Sequence, residues 1–213
     1  MTAQPPELTL ILVACYLLGS VSFAIVVARA YGLPDPRSHG SGNPGATNML
    51  RTGKKSAAVF TLLGDALKGY AAVKLAQWAT LSWGLPAYTP YLAALAAFLG
   101  HLFPVFFGFK GGKGVATALG VLLALDARLG GLTLATWAIM FTLTRISSLS
   151  ALVAATLAPF YGWLLLDGGP ESGPKIGLLA LLCGLVLARH HGNIRKLLSG
   201  EERAFKNRAF KKR

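Results

Sequence analysis

A run of small and polar residues, Asp35-Pro36-Arg37-Ser38-His39-Gly40-Ser41-Gly42-Asn43-Pro44-Gly45-Ala46-Thr47-Asn48-Met49-Leu50-Arg51, separates two apolar stretches of this chain. Such a segment cannot build a core of its own. Glycine lets a backbone approach a ligand closely, and successive N–H groups form a concave nest for an anion. Arg37, Ser41, Gly42 and Asn43 are therefore candidate anion contacts, with Thr47, Asn48 and Arg51 extending the same wall. A second cluster is Gly111-Gly112-Lys113-Gly114 leading into Val115-Ala116-Thr117. Glycines entering a helix aim free N–H groups and a positive dipole end at an anion, and Lys113 adds a full charge. A nucleotide-binding P-loop needs Gly-x-x-x-x-Gly-Lys-Ser/Thr. Here three residues separate Gly108 from Gly112, and Gly114 replaces the hydroxyl, so the pattern is a phosphate-type nest of another kind. A flexible loop with a snorkelling lysine is the plainer alternative.

Further polar residues interrupt apolar sequence. Asp65 and Lys68 lie three apart within one long apolar run, on one helical face. Charges at such depth are functional or mutually neutralising, and both readings stay open. His101 and His190 are candidates for moving a proton or for packing. Neither opens a His-x4-Asp pair, since Phe106 and Arg195 stand at that spacing. Thr144-Arg145-Ile146-Ser147-Ser148-Leu149-Ser150 offers a guanidinium and hydroxyls at a helix start, where serine caps well. Arg145, Ser148 and Ser150 are candidate phosphate contacts there. Asn193 stands three residues after His190 and can share its face, while Ile194, Leu197 and Leu198 make the segment amphipathic, suited to an anionic membrane surface.

The elements that must position these residues are membrane helices. Of 213 residues 54% are hydrophobic and 14% charged, and mean hydropathy is +0.53; soluble domains carry about a quarter charged residues. Apolar segments run near 8–31, 57–81, 87–109, 114–126, 129–144, 149–166 and 174–190. An all-α, polytopic helical membrane protein with about seven transmembrane segments is expected, as one integral membrane domain over 1–213 with a basic, partly amphipathic tail at 191–213. The fourth and fifth segments are short and alternatively form one re-entrant hairpin. The count is odd either way. Met1 to Glu7 carry no Lys or Arg, so the first apolar run reads as a retained span. Sixteen Lys and Arg fall in loops and tail on one side against two on the other, which predicts a cytoplasmic C-terminus and an outside N-terminus. The net charge of +13 has this distribution, so nucleic acid is not expected as a partner. Cys15 and Cys183 sit apart in apolar runs, and no disulfide, metal or cofactor is expected. This topology brings all the polar clusters except the Asp65–Lys68 pair to the cytoplasmic face.

In combination these segments resemble the membrane-embedded acyl-phosphate:glycerol-3-phosphate acyltransferases, the PlsY family of bacterial phospholipid synthesis. The matching pieces are Gly19-Ser20, Ser22-Phe23-Ala24, the Asp35–Arg51 loop, Asp65-x-x-Lys68-Gly69, Gly100-His101 with Pro104-Val105-Phe106, Gly111–Thr117, Thr144-Arg145, Ser148-Leu149 and His190-x-x-Asn193-Ile194. The tail departs from the pattern: Ala204 stands where a lysine is expected, and Glu201-Glu202 doubles the expected glutamate. The resemblance implies transfer of a fatty acyl group from acyl phosphate to glycerol 3-phosphate, giving lysophosphatidic acid and phosphate. It implies a multi-pass protein of the bacterial plasma (inner) membrane, a monomer in contact with membrane lipid and coupled to an enzyme that makes acyl phosphate. Catalytic weight is expected on Lys113, Arg37, His101 and His190. Phosphate contacts are expected from Ser41, Gly42, Asn43, Thr47, Asn48, Gly111, Gly112, Gly114, Arg145, Ser148, Ser150 and Asn193, with support from Asp65, Lys68, Arg51 and Glu202. No Ser-His-Asp or Cys-His set is evident, so direct transfer without an acyl-enzyme is expected. A transporter for a phosphate-bearing anion is the rival class, with Asp65 and Lys68 as pathway residues.

Overall fold

A computed structural model describes residues 5–165, 172–202 and 204. Every regular element among them is helical. The order is α1 (Pro6–Ser20), α2 (Phe23–Ala30), α3 (Ala46–Leu50), α4 (Lys55–Trp83), α5 (Thr89–Leu102), a 3₁₀ turn (Val105–Phe107), α6 (Val115–Leu125), α7 (Ala127–Thr144), α8 (Ser147–Leu165), α9 (Ser172–Arg189) and α10 (His191–Leu198). The apolar segments of the sequence are thus helical; 87–109 divides into α5 and the 3₁₀ turn, and 8–31 divides more sharply. The stretch 8–31 is two helices, bent by 44° where α1 stops and α2 begins. Lys68 holds that break open: its Nζ donates to the Val21 carbonyl at 2.6 Å, satisfying an acceptor that a continuous helix would have bonded internally.

Helices α5 with its 3₁₀ turn (Thr89–Phe107), α8 and α9 are long and apolar enough to cross a bilayer, and the bent α1–α2 pair makes a fourth. The 11 residues of α6 rise only ~16 Å, about half a hydrocarbon core. Small residues let the helices approach. A Cβ on Gly19 would lie 2.1 Å from the Ala97 carbonyl oxygen, and one on Gly120 1.8 Å from that of Ala66. Backbone contact of this kind locks α1 to α5 and α4 to α6, as small-residue stripes do in lipid. Large apolar side chains such as Leu81, Leu143 and Trp163 point outward. The basic stretch 206–213 lies outside the described residues.

Candidate functional site

Packing of α4, α6, α7, α8 and α9 leaves a cavity of about 250 Å³ with two kinds of wall. One end is polar, formed by Ser41, the 43–48 segment, Arg51, Lys113, Ser147, Ser148, His190, Asn193 and Glu202. The other is an apolar arm along α8, where Ala151, Ala154, Ala155 and Ala158 face Leu119 and Leu122 of α6 and Leu179 and Leu182 of α9. Leu62 of α4 and Leu134 of α7 line the same cavity and are 45% and 44% exposed, so the arm opens sideways onto the apolar exterior.

The 35–51 loop is held by one buried side chain. Asn48 Nδ2 donates to the carbonyls of Pro36 at 2.7 Å and His39 at 3.1 Å. Its Oδ1 accepts from the Ser41 N–H at 3.0 Å. The Asn48 amide, expected from the sequence as a phosphate contact, lines the cavity while its hydrogen bonds brace the loop itself. Arg37 departs from expectation. Its guanidinium grips Asp35, with Nη2 2.7 Å from Oδ2, and donates from Nη1 to the Phe107 carbonyl at 3.2 Å. Those hydrogen bonds hold the Asp35 carboxyl below its usual range. Arg37 therefore ties the loop to the 3₁₀ turn and does not line the cavity, whereas Arg51 does.

Lys113 is presented by a clamped turn. The Gly112 N–H donates to the His101 carbonyl at 3.1 Å. Arg189 donates from Nε to the Gly112 carbonyl at 3.1 Å and from Nη2 to that of Gly111 at 3.0 Å. Side chains have no room here: a Cβ on Gly112 would meet His101 Nε2 at 2.3 Å, and Gly114 sits at φ 84° against the Phe98 ring. Gly111 and Gly112 are spent on this clamp and stand outside the cavity wall, as do Gly42, Arg145 and Ser150. Arg145 caps α7 in the left-handed region, and Ser150 Oγ donates to the Ile146 carbonyl within its own helix. Lys113 Nζ donates to Asn193 Oδ1. Asn193 Nδ2 donates to Glu202 Oε1 at 2.7 Å, and Ser148 Oγ donates to the same oxygen at 2.5 Å. Burial pushes the Lys113 ammonium below the usual lysine range; Glu202 opposes this, and Arg51, Arg189 and Lys196 add to it. A cation crowded by cations in a half-dry pocket is one that gains from an incoming anion.

Two positions missed in the sequence carry structural weight. Ser147 lines the cavity and shares a 3.1 Å hydrogen bond with Thr47 across its mouth. Arg189, given no role in the sequence beyond its charge, is the clamp of the lysine turn. Only helix phase separates Ser147 from Ser150, and no pattern marks an arginine whose partners are carbonyls distant in sequence.

Asp65, Lys68 and His101 form one buried set. Lys68 Nζ lies 2.7 Å from Asp65 Oδ1 and 3.0 Å from His101 Nδ1, besides Val21 O. An ammonium has only donors and no acceptor, so in the contact with His101 it is the ring Nδ1 that accepts. The network assigns the proton of a neutral His101 to Nε2, on the Gly112 side. His190 has the opposite tautomer. Its Nδ1 lies 2.8 Å from the Val186 carbonyl, which can only accept, leaving Nε2 as the ring's acceptor. Burial lowers the His190 pKa to about 4. Asp65 and Lys68 thus neutralise each other and fix a histidine in the cavity wall, which joins the two readings of the pair.

The family model described as "Glycerol-3-phosphate acyltransferase" matches residues 9–200. The glycerol-3-phosphate acyltransferase of Thiobacillus denitrificans is 61% identical over 193 residues, covering 91% of this chain and 94% of that protein. That of Methylobacillus flagellatus is 57% identical over 196 residues, covering 91% and 94%. Among solved structures, PlsY, described as an integral membrane glycerol 3-phosphate acyltransferase, superposes in its glycerol 3-phosphate form with a TM-score of 0.84 at 36% identity, over 94% of this chain and 96% of that one. Its lysophosphatidic acid form gives 0.82 at 35% identity over the same shares.

Proposed function

This chain belongs to the glycerol-3-phosphate acyltransferase family of integral membrane proteins, and from that premise we propose that it transfers a fatty acyl group from acyl phosphate to glycerol 3-phosphate. The products are lysophosphatidic acid and inorganic phosphate. The observation that carries the reading is the two-walled cavity: a cationic polar end continuous with an apolar arm that opens to the lipid side. One substrate is a small phosphate ester, and the other joins a phosphate to a chain that belongs in a bilayer. Few ligand pairs need both walls at once. An orientation with the polar end on the cytoplasmic side of the bacterial inner membrane follows from the distribution of Lys and Arg. The protein acts as a monomer, in that membrane, on acyl phosphate delivered by a separate enzyme.

Lys113 and Arg51 neutralise the substrate phosphates, with the Ser41–Gly45 backbone beside them. Ser148, Asn193 and His190 face the glycerol portion, and Glu202 holds Ser148 and Asn193 in place. The glycerol hydroxyl oxygen attacks the acyl carbonyl carbon, the carbon–oxygen bond to phosphate breaks, and phosphate leaves with the electron pair. Acyl phosphate is already activated, so positioning, worth ~7–11 kcal/mol, and charge stabilisation, about 3–4 kcal/mol per donor, outweigh a general base at roughly 3–5. The hydroxyl proton goes to the departing phosphate. A phosphate with a pKa of about 6 is the stronger base beside a histidine held near 4. His190 Nε2 accepts from the hydroxyl and orients it; His101 donates from Nε2 beside the lysine turn.

The test is product formation by the purified protein in detergent. Palmitoyl phosphate and glycerol 3-phosphate should yield lysophosphatidic acid and phosphate in equal amounts with no membrane compartment present. Absence of product with either acyl phosphate or acyl-CoA as donor overturns the reading. Product from acyl-CoA alone overturns the donor assignment.

A further inference from the structure

The apolar arm ends at a wall. It follows α8 from Ser148 to Ala158, which is ~15 Å by helical rise. Leu122 of α6, Thr133 of α7, Ala158 of α8 and Leu179 of α9 close it. Leu122, Ala158 and Leu179 pack together with Leu129 as one buried cluster. Thr133 adds no free polar group, because its Oγ1 donates to the Leu129 carbonyl at 2.8 Å. Beyond the wall lies a second, smaller cavity of about 50 Å³, bounded by Leu125, Asp126, Leu129, Lys175 and Tyr91. Leu179 lines both cavities. One side chain, 2% exposed, is therefore the partition between them.

A glycine on the neighbouring helix sets the position of that side chain. A Cβ on Gly162 of α8 would fall 2.3 Å from Leu179 Cδ1. The leucine leans into the space glycine leaves. Behind it the second cavity is closed to hydrocarbon by chemistry as well as by space. Asp126 caps α7 through the Arg128 and Leu129 N–H groups, and Lys175 sits over the Tyr91 ring. A chain end pushed past Leu179 would bury its methyl against charged groups.

We infer that Leu179, backed by Gly162, is the specificity-determining residue for acyl-chain length: it stops the terminal methyl of the acyl group. The inference rests on the acyl-transfer reading above, with the fatty acyl chain as occupant of the arm. That occupant is favoured because the arm continues from the polar end and opens to lipid beside Leu62 and Leu134. Each methylene newly buried is worth about fourfold in affinity, so moving the wall by one or two methylenes changes chain preference measurably.

The experiment is kcat/KM against lauroyl, palmitoyl and stearoyl phosphate for the parent, Leu179→Ala and Gly162→Ala, each in detergent with thermal unfolding checked. Leu179→Ala vacates the leucine's own volume at the end of the arm, room for one or two methylenes short of the charged groups, and should raise the stearoyl-to-lauroyl ratio roughly tenfold. Gly162→Ala displaces the leucine from α8 and should lower the same ratio, with lauroyl turnover kept. If Leu179→Ala does not fold, Leu179→Val makes the same test with a smaller step. Active variants with the parent's ratio overturn the inference. A parent that makes no lysophosphatidic acid from any donor overturns the functional reading instead, so the two failures are distinguishable.

Discussion

The protein holds two clusters of charged and polar side chains that look alike in sequence and differ in the structure. Asp65, Lys68 and His101 are buried and close on themselves: the lysine donates to the Val21 carbonyl and to His101 Nδ1, and the Asp65 carboxylate lies against the ammonium. Lys113, Asn193, Glu202 and Ser148 are also bonded in a chain, but the lysine meets an amide oxygen instead of a carboxylate, and all four line the cavity. A cation paired with its own carboxylate stabilises the fold. A cation held by a neutral amide, with its pKa lowered by burial and by Arg51, Arg189 and Lys196 against the pull of Glu202, gains from an incoming anion. The same residue type closes one cluster and stands open to a ligand in the other because of what stands opposite it.

The strongest way to break that comparison is to remove one partner from the closed cluster. Lys68→Met should cost about 3–5 kcal/mol of stability, because it leaves Asp65 buried and unpaired. Thermal unfolding in detergent would show a large loss, and Lys68→Met with Asp65→Asn should recover part of it. Lys113→Ala should do the reverse, lowering kcat/KM by about 10²–10³-fold at an unchanged melting temperature. It should cost more activity than His101→Gln or His190→Gln. A histidine variant that abolishes turnover while Lys113→Ala stays active would invert the assignment.

The next contrast is in pH. His190 is neutral in the fold with a pKa of about 4, lowered from 6.5 by burial. The unfolded chain binds this proton first, so stability is fully present above pH 6.5 and is lost as pH falls towards 4. The loss is about 3 kcal/mol, and unfolding of His190→Asn measured across that window should lack it. The smallest effect is expected where the sequence pointed first. Arg37 and Asp35 are each about a third exposed, and such pairs contribute ~0.2–1 kcal/mol. Arg37→Lys should therefore raise KM for glycerol 3-phosphate less than Arg51→Ala does, as steady-state titrations would show.

Much of this was legible without coordinates. Lys113, Ser41, Asn43, Ser148, His190 and Asn193 are singled out by type and spacing, and all line one cavity. The assignments that shifted concern side chains with equivalent alternatives nearby. Arg37 and Arg51 both end the glycine loop, and Asp35, two residues before Arg37, claims the first. Asn48 resembles Asn43 in sequence, yet the loop folds around Asn48 and is braced by its amide.

The sequence by itself determined the helices, their apolar character and the residue types able to bind phosphate. Those are local properties, written in composition, periodicity and loop charge. Tertiary structure alone decided which cation faces the cavity, which tautomer each histidine holds, and where the apolar arm stops. Each depends on a partner far along the chain: Glu202 for Ser148, Arg189 for the Gly111–Gly112 carbonyls, Gly162 for Leu179. Hydrogen bonds and van der Waals contacts act over a few ångströms, so their outcome is fixed only when helix packing brings those partners together.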